Sequence, residues 1–489
     1  MQKHCTFLIL ILTLLVSSAC QAPVQEPAPT TSTVPVPTST QPPPSTVAAT
    51  ATVVAPPPTL TPSIPAGLYT MYAGPKGIWI SRPDGTSLTK LTDLGLDGID
   101  LRRVRSPNGD RLALIVQTEK GLDLVEVLIP GGETKTIAHL YSITNDELIA
   151  NPTSPEAFTA YAIRDYDNLA WQPGGRYLAF VGAMDGPTSD LYLYDTETGE
   201  IKRLTDGEAQ AVFPSWSWDG EFILLFGVSW RGPFGGAILG HDHLDEVVSV
   251  QVSTRKGFLL PVPKSVAFNF VGWQDERHYI TYDSDETCTS QNLRSVDVLT
   301  GEATPLMEAS FQDAIAYSAQ YEAFLFASIA STASAAGCPN SPGEGTFLLP
   351  TGQTTPIQLL DRKISEVSWV PESQAFYAHP EGFFSAEGTR VYEPPVYEKS
   401  FQPAISDSDV QAWEVIENQQ GRVVVKAPGG DWQTVLEGDV AALAWNVLAS
   451  ETLTIVLKDG SLYTASAPGF NAQVMGAVEG VNQIWVPLP

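Results

Sequence analysis

The segment SWRGPFGGAILGHDHLDE, residues 229–246, holds the densest group of side chains in the sequence that could bind a ligand. Its first half offers aromatic rings and a guanidinium for stacking, and its second half offers imidazoles and carboxylates, which are common metal ligands. The candidate binding residues are Trp230, Arg231, Phe234, His241, Asp242 and His243. Asp245 and Glu246 add two further carboxylates, and a solvated polar loop is the alternative interpretation.

The metal-binding potential of this segment is incomplete. The His241–x–His243 spacing can place two imidazoles on one ion, but no third and fourth ligand with a defined geometry accompanies them. The acidic runs at 283–286 and 407–409 lack the glycine and the spaced terminal glutamate of a calcium-binding loop, and they are interpreted as turns. The sequence therefore predicts no metal site and no cofactor.

These loops must be positioned by a repeated β-rich unit. Its clearest copy spans residues 168–207 and contains four short strand patterns separated by Gly, Asp and Pro turn signals. When the copies are aligned on their first strand, six of nine residues in one column are tryptophan. The column is Arg105, Trp171, Trp216, Trp273, Tyr317, Trp369, Ile405, Trp445 and Trp485. A four-stranded unit recurring about every 48 residues predicts an all-β fold, a β-propeller of four-stranded blades.

The two ends of the repeat region predict how the ring closes. Residues 68–93 match the second, third and fourth strands of a blade, and residues 482–487 match a first strand. Pairing them would complete one composite blade and remove two free sheet edges. The column taken literally gives nine blades. Because the Ile405 unit is the weakest copy, we expect eight, with seven and nine as alternatives.

The strings LYLYDTETGEIKRLTDG, PSWSWDGEFILLF and GIWISRPDGTSLTKLTD resemble the TolB-type, WD-like propeller repeat. SPNGD at 106–110 and WQPGG at 171–175 carry the family's Ser-Pro-Asp-Gly turn in partial form, whereas Trp218 replaces its proline in SWSWDG. The resemblance is specific over 68–227 and implies a fold only. TolB has an α/β domain where this chain has a Pro-rich segment, so the resemblance does not transfer the Tol–Pal role.

The N-terminal sequence predicts export and attachment to a membrane. Residues 1–19 combine Lys3, an apolar run of ten residues that is too short to span a bilayer, and a small-residue junction. The junction resembles a bacterial lipoprotein signal, which implies lipidation of Cys20; a secreted protein with an ordinary cleavage site is the alternative. Residues 20–67 form an expected disordered stalk, since Pro, Thr and Ser make up 27 of the 46 residues from 21 to 66.

The remaining cysteines, Cys288 and Cys338, are predicted to form a disulfide. Once Cys5 is removed and Cys20 is lipidated, they are the two thiols left in an exported chain, where disulfides persist. Both lie in second-to-third-strand loops of successive repeats, on the face that also carries residues 139–167 and 229–246. Free, buried or metal-bound thiols are the alternative.

These features predict a non-catalytic, extracytoplasmic lipoprotein whose propeller spans residues 68–489. It is expected to bind a protein or glycan on its elaborated face, the face that carries residues 139–167 and 229–246 and the two cysteine loops. The membrane is contacted through the lipid, on the cell surface or the periplasmic side. A formal net charge of −28 argues against nucleic acid as a partner. Two alternatives stay open: a carbohydrate-active or lyase-type enzyme using loop 229–246, and a purely structural envelope protein.

Overall fold

Antiparallel β-sheets follow one another along the described part of the chain, one sheet to each sequence repeat. The computed structural model describes residues 68–96, 100–164, 168–229, 244–260, 267–284, 290–307, 311, 315–328, 342–350, 352–364, 366–397, 399–446, 448 and 451–486. They belong to one unit of the chain, which spans 61–489. Within these residues, no helix is long and apolar enough to cross a membrane.

The first four blades contain the following strands. Blade 1 has β1 (Thr70–Gly74), β2 (Gly77–Ser81), β3 (Thr89–Thr92) and β35 (Gln483–Trp485). Blade 2 has β4 (Arg111–Thr118), β5 (Gly121–Leu128) and β6 (Thr134–Tyr141). Blade 3 has β7 (Leu169–Trp171), β8 (Tyr177–Gly182), β9 (Asp190–Asp195) and β10 (Ile201–Arg203). Blade 4 has β11 (Gln210–Trp216), β12 (Phe222–Val228), β13 (Leu244–Gln251) and β14 (Lys256–Leu260).

The other five blades repeat the same order. Blade 5 has β15 (Ala267–Trp273), β16 (His278–Ser284), β17 (Gln291–Asp297) and β18 (Ala303–Met307). Blade 6 has β19 (Ile315–Ser318), β20 (Ala323–Ser328), β21 (Gly345–Leu349) and β22 (Ile357–Leu360). Blade 7 has β23 (Glu366–Val370), β24 (Ala375–His379), β25 (Gly382–Phe384) and β26 (Arg390–Tyr392), with a 3₁₀ turn at Pro371–Ser373. Blade 8 has β27 (Lys399–Ile405), β28 (Gln411–Glu417), β29 (Gln420–Lys426) and β30 (Gln433–Glu437). Blade 9 has β31 (Val440–Asn446), β32 (Thr452–Leu457), β33 (Ser461–Ser466) and β34 (Gln473–Ala477).

The all-β propeller architecture is therefore confirmed, but the prediction of eight blades is wrong, because the described residues form nine sheets. The unit judged weakest from sequence is a complete blade, β27–β30, in which buried Ile405 occupies the column position at the end of the first strand. In blade 2 the first strand is reduced to a single bridge between Arg105 and Leu112. In blade 1, β35 pairs antiparallel with β1, placing Trp485 opposite Met71.

The turns after the first strands follow from the Ser-x-Asp-Gly pattern. In blade 4 the Ser217 hydroxyl lies 2.6 Å from an Asp219 carboxylate oxygen and accepts the Phe222 amide at 2.9 Å. Gly220 has φ +70°, a left-handed conformation that glycine adopts without strain. Gly109 takes φ +69° in the equivalent turn of blade 2.

The column tryptophans join neighbouring blades. Four of them donate the indole N–H to the preceding blade, each to the residue just before that blade's own column residue. The pairs are Trp171 with the Val104 carbonyl (3.1 Å), Trp216 with the Ala170 carbonyl (2.8 Å), Trp273 with the Ser215 hydroxyl (3.0 Å) and Trp445 with the Ala404 carbonyl (2.9 Å). The repeated tryptophan position therefore marks a seam between two neighbouring blades. At each of these four seams a large ring is buried and its N–H group has a hydrogen-bond acceptor.

Three short α-helices lie among the described residues. α1 (Leu101–Val104) precedes the blade 2 bridge, and α2 (Asn145–Ala150) and α3 (Pro155–Arg164) lie in the connection from blade 2 to blade 3. A capping box between Thr144 and Glu147 begins α2. The apolar face of α3 packs on the blades, where Phe158 joins the cluster that contains Val212 and Phe226.

Candidate functional site

A cavity of ≈ 680 Å³ opens among the first strands of blades 3, 4 and 5 and helix α1. We call it the central cavity. Its walls are largely aromatic or otherwise apolar, with Trp171, Phe213, Trp216, Phe226 and Phe270 among them. The volume falls in the range of small-molecule sites, about 300–1,000 Å³.

Irregularities in two first strands shape the wall. The pairing of β11 with β12 skips Phe213 and Pro214, and the pairing of β15 with β16 skips Val271. All three residues line the central cavity. Phe213 has φ +53°, an uncommon conformation for a bulky residue. Bulges bend a strand and redirect its side chains, so these two present apolar groups to the cavity that a regular ladder would direct elsewhere.

The charged side chains that the structure describes on the cavity wall are all cationic. Arg102, Arg103 and Arg105 line it, and no Asp or Glu does among the residues that the structure describes. Arg102 is exposed and pairs with Asp100 at 3.1 Å. Three arginines on one cavity wall stand out in a chain of net charge −28, although Asp100 offsets the charge of Arg102.

Arg105 is the most confined of the three. It occupies the column position held elsewhere by tryptophan, and its guanidinium lies 3.5 Å from the centroid of the Trp485 ring. Nη1 donates to the Ser106 carbonyl at 2.9 Å, whereas Nε is buried with no hydrogen-bond partner in the described structure. Burial lowers the pKa of Arg105 to about 10, so the side chain stays charged at neutral pH.

Few other polar groups are available to a ligand here. The indole N–H groups of Trp171 and Trp216 are already used by backbone carbonyls, and the Ser215 hydroxyl accepts the Trp273 indole N–H. Ser215 lines the cavity and can still donate its own hydrogen. The site combines an apolar body with a cationic wall, which suits an apolar group that carries an anion.

The site residues predicted from sequence lie elsewhere. The candidate loop residues Trp230, Arg231, Phe234, His241, Asp242 and His243 are outside the described residues, as are Cys20, Cys288 and Cys338. A second cavity of ≈ 360 Å³ is lined by Pro155 and Thr159 from α3, by Val228 at the end of β12 and by Ser229, the first residue of the candidate loop.

The acidic turns singled out in the sequence have structural partners where the structure describes them. Asp283 is buried in β16 and forms an ion pair with Arg294 at 2.8 Å. Asp409 lies in a left-handed turn and accepts the Tyr392 hydroxyl. Among the described residues, no group of three or more His, Cys, Asp or Glu side chains is placed to hold a metal ion.

A second constellation was missed by sequence reasoning. His139 Nδ1 lies 2.7 Å from an Asp123 carboxylate oxygen, and its Nε2 lies 2.9 Å from the Ser142 hydroxyl. Asp123 and His139 face each other across the β5–β6 pair, a register that the sequence does not reveal. The order Ser–His–Asp is that of serine hydrolases, although neither cavity described above is lined by these residues.

Comparison with known sequences finds one short match and no family model. No family model matches the chain. A 55-residue stretch is 46% identical to the uncharacterized peptidase YuxL of Bacillus subtilis (strain 168), covering 11% of this chain and 8% of that protein. The chain therefore spans a small fraction of that relative.

Similar solved structures are likewise distant. TolB from Acinetobacter baumannii is 13% identical, with 75% of this chain and 78% of that chain covered at a TM-score of 0.30. Dipeptidyl peptidase 4 of Porphyromonas gingivalis is 9% identical, with 86% of this chain and 59% of that chain covered at a TM-score of 0.44. The β-propeller domain of the Trilobed protease of Pyrococcus furiosus is 10% identical, with 75% of this chain and 91% of that chain covered at a TM-score of 0.34. The propeller assignment rests on the sheet order of this chain, and no function is inferred from these likenesses.

Proposed function

We propose that this chain is a non-catalytic binding protein of the cell envelope, which presents a β-propeller to a protein or glycan. The observation that carries the proposal is the central cavity, which several blades enclose and which two strand bulges line with apolar groups. Clefts with apolar walls and a few charged groups are the usual form of a ligand site. The candidate loop 229–246 would add contacts on the elaborated face.

Anchorage belongs to the same proposal. Lipid on Cys20 would hold the protein at a membrane, and residues 20–67 would keep the propeller away from it. The β35–β1 pairing would close the ring, so that the ligand meets a continuous surface rather than a sheet edge. The predicted export signal at residues 1–19 would place the protein outside the cytoplasm, on the cell surface or the periplasmic side.

The test fills the central cavity without altering its charges. Ala170 lines the cavity and uses its carbonyl, not its side chain, to hold Trp216, so Ala170→Phe adds a ring while keeping that bond. Thermal shifts are measured for the wild type and the variant against panels of short peptides and oligosaccharides. We expect ligands that stabilise the wild type and not the variant. If no peptide or oligosaccharide stabilises the wild type, the proposal is rejected and a purely structural role is favoured.

Ester hydrolysis at Ser142 is a second candidate, favoured by the contacts to His139 and Asp123. A fluorophosphonate probe reports an activated serine directly. Ser142→Ala should abolish labelling if the candidate is right, and Ser154→Ala, which removes a hydroxyl from the same interblade connection, should leave it unchanged. An unlabelled wild-type protein would eliminate this candidate and leave the binding function intact.

A further inference from the structure

We propose that the central cavity binds an organic anion whose apolar body carries one carboxylate, with Arg105 as the residue that recognises the carboxylate. This inference rests on the proposed binding function and names its ligand chemistry. It starts from the contrast between the cavity wall, with its three arginines, and a chain whose acidic residues outnumber its basic ones by 55 to 27.

Other half-buried arginines of this chain show what Arg105 lacks. Arg111 is 3.0 Å from the nearly buried Glu126, Arg203 is 2.6 Å from Asp190, and Arg294 is 2.8 Å from Asp283. In each of these three pairs the guanidinium is matched by a buried carboxylate of the same blade. Within the described residues Arg105 has no such ion pair, and its bonds are to backbone carbonyls. A buried charge without a counter-ion is costly, and a bound anion would remove that cost.

The stacking of Arg105 also prepares it for an anion. Contact with the Trp485 ring fixes the plane of the guanidinium, and the Nη1 bond to the Ser106 carbonyl holds one edge. A planar, oriented guanidinium recognises a carboxylate with little loss of side-chain entropy on binding. Arg102 and Arg103 also line the cavity, but they are more exposed than Arg105 and have partners of their own, so the recognition is assigned to Arg105.

The rest of the wall argues for an apolar ligand body rather than a sugar. A buried saccharide needs hydrogen-bond partners for each hydroxyl, because unpaired polar groups are expensive to desolvate. The indole donors of Trp171 and Trp216 are engaged in the seams, and the neighbouring wall groups Phe213 and Val271 offer no polar side-chain atoms. An aliphatic or aromatic body therefore fits, with its charge directed to Arg105.

Two sources could supply this chemistry: the free C-terminus of an apolar peptide or a small carboxylic acid. Calorimetric titration of the purified full chain distinguishes them with two matched ligand pairs, Ala-Ala-Phe against its C-terminal amide and 4-phenylbutyrate against 4-phenylbutyramide. We expect each bound carboxylate to bind at least about tenfold more tightly than its amide, since a charged hydrogen bond is lost in the amide. If Ala-Ala-Phe binds and 4-phenylbutyrate does not, the ligand is a peptide C-terminus. If both carboxylates bind, the site also accepts small carboxylic acids.

Variants assign the charge recognition to Arg105. Arg105→Gln should weaken carboxylate binding at least about tenfold, and Arg105→Lys should retain part of it, because the charge remains without the planar fork. Arg82→Gln is the matched control: Arg82 also stacks on an aromatic ring, Tyr69 at 5.1 Å, but does not line the cavity. The Arg82→Gln variant should bind the carboxylate ligands as tightly as the wild type does.

A second variant covers the chance that Arg105 is needed for folding. Ser215→Asp places a negative charge on the cavity wall, retains an acceptor for the Trp273 indole and leaves Arg105 in place. It should weaken carboxylate binding at least about tenfold more than Ser215→Asn, which adds a side chain of similar size without the charge. Equal affinity for acid and amide, no effect of Arg105→Gln or Ser215→Asp, or inorganic phosphate binding as tightly as 4-phenylbutyrate would overturn the inference. Neutral ligands excluded by Ala170→Phe would still support the broader binding function.

Discussion

The tryptophan seam gives a prediction that separates hydrogen bonding from packing. Trp171→Phe removes the indole N–H that donates to the Val104 carbonyl at 3.1 Å, in an environment where both residues are buried. Trp413→Phe is the matched control. Trp413 is fully buried in blade 8, but its Nε1 has no hydrogen-bond partner in the described structure. The two substitutions remove the same atoms and differ in the fate of one polar group; Trp171 also lines the central cavity, whereas Trp413 is enclosed in the core, so the loss of packing is the larger for Trp413.

The expected magnitudes follow from that difference. Leaving the Val104 carbonyl unpaired costs about 1–3 kcal/mol of unfolding free energy, whereas deleting the unpaired N–H of Trp413 recovers a desolvation penalty of similar size. The loss of apolar area and the cavity left behind weaken both variants. We therefore expect Trp171→Phe to be the more destabilising of the two by about 2 kcal/mol or more.

Urea unfolding followed by circular dichroism tests this expectation, with the midpoint and slope of the first transition compared, since a propeller of this size need not unfold in one step. Trp216→Phe and Trp445→Phe repeat the test at bonds of 2.8 and 2.9 Å. A readout independent of packing is exchange of the indole protons in protein labelled at tryptophan, where the seam protons should be protected. Equal destabilisation by Trp171→Phe and Trp413→Phe would refute the reasoning.

Three further predictions concern charge, anchorage and covalent structure. Burial raises the pKa of the Glu414 carboxyl above its ordinary value of 4.5, so the folded state binds the proton more tightly than the unfolded state. Glu414→Gln should therefore be more stable than the wild type at pH 7 in urea unfolding, and the difference should shrink below about pH 4.5, where the carboxyl is protonated in both states. Cys20→Ser should shift the protein from the membrane to the soluble fraction on cell fractionation, and continued membrane partitioning of this variant contradicts lipid anchorage. Non-reducing peptide mapping should recover Cys288 and Cys338 in one cross-linked species, and two freely alkylated thiols would exclude the bridge.

Much of the fold was predictable because its signals are local and repeated. A tryptophan at the end of most first strands and a full or partial Ser-x-Asp-Gly turn after it recur in the sequence, and both are tied to bonds within a turn or a seam. The blade count was wrong for a related reason. Ile405 is buried at the column position but lacks the indole that marks six of the nine copies. The blade is formed by the pairing of β27, β28, β29 and β30, which the column does not show.

The central cavity was not predictable in the same way. Arg105 stood in the column as the one arginine among aromatic and aliphatic residues, but its stacking partner Trp485 is 380 positions away along the chain. The bulges at Phe213 and Val271 depend on strand register, which a repeat pattern does not encode. For the same reason the Asp123–His139–Ser142 contacts emerged only from the β5–β6 pairing.

The arginine in the column links the architecture of blade 2 to the proposed binding function. A tryptophan at position 105 would fill the seam and satisfy its single donor, as its counterparts do. Arginine has five N–H donors and a permanent charge, of which the described contacts use only a part. The first strand of blade 2 is also reduced to a bridge. Helix α1, which contains Arg102 and Arg103, precedes this bridge, where the other blades have a regular first strand. Among the described residues, the irregular blade thus supplies every charged group that lines the central cavity, as expected if local regularity is given up for the proposed binding site.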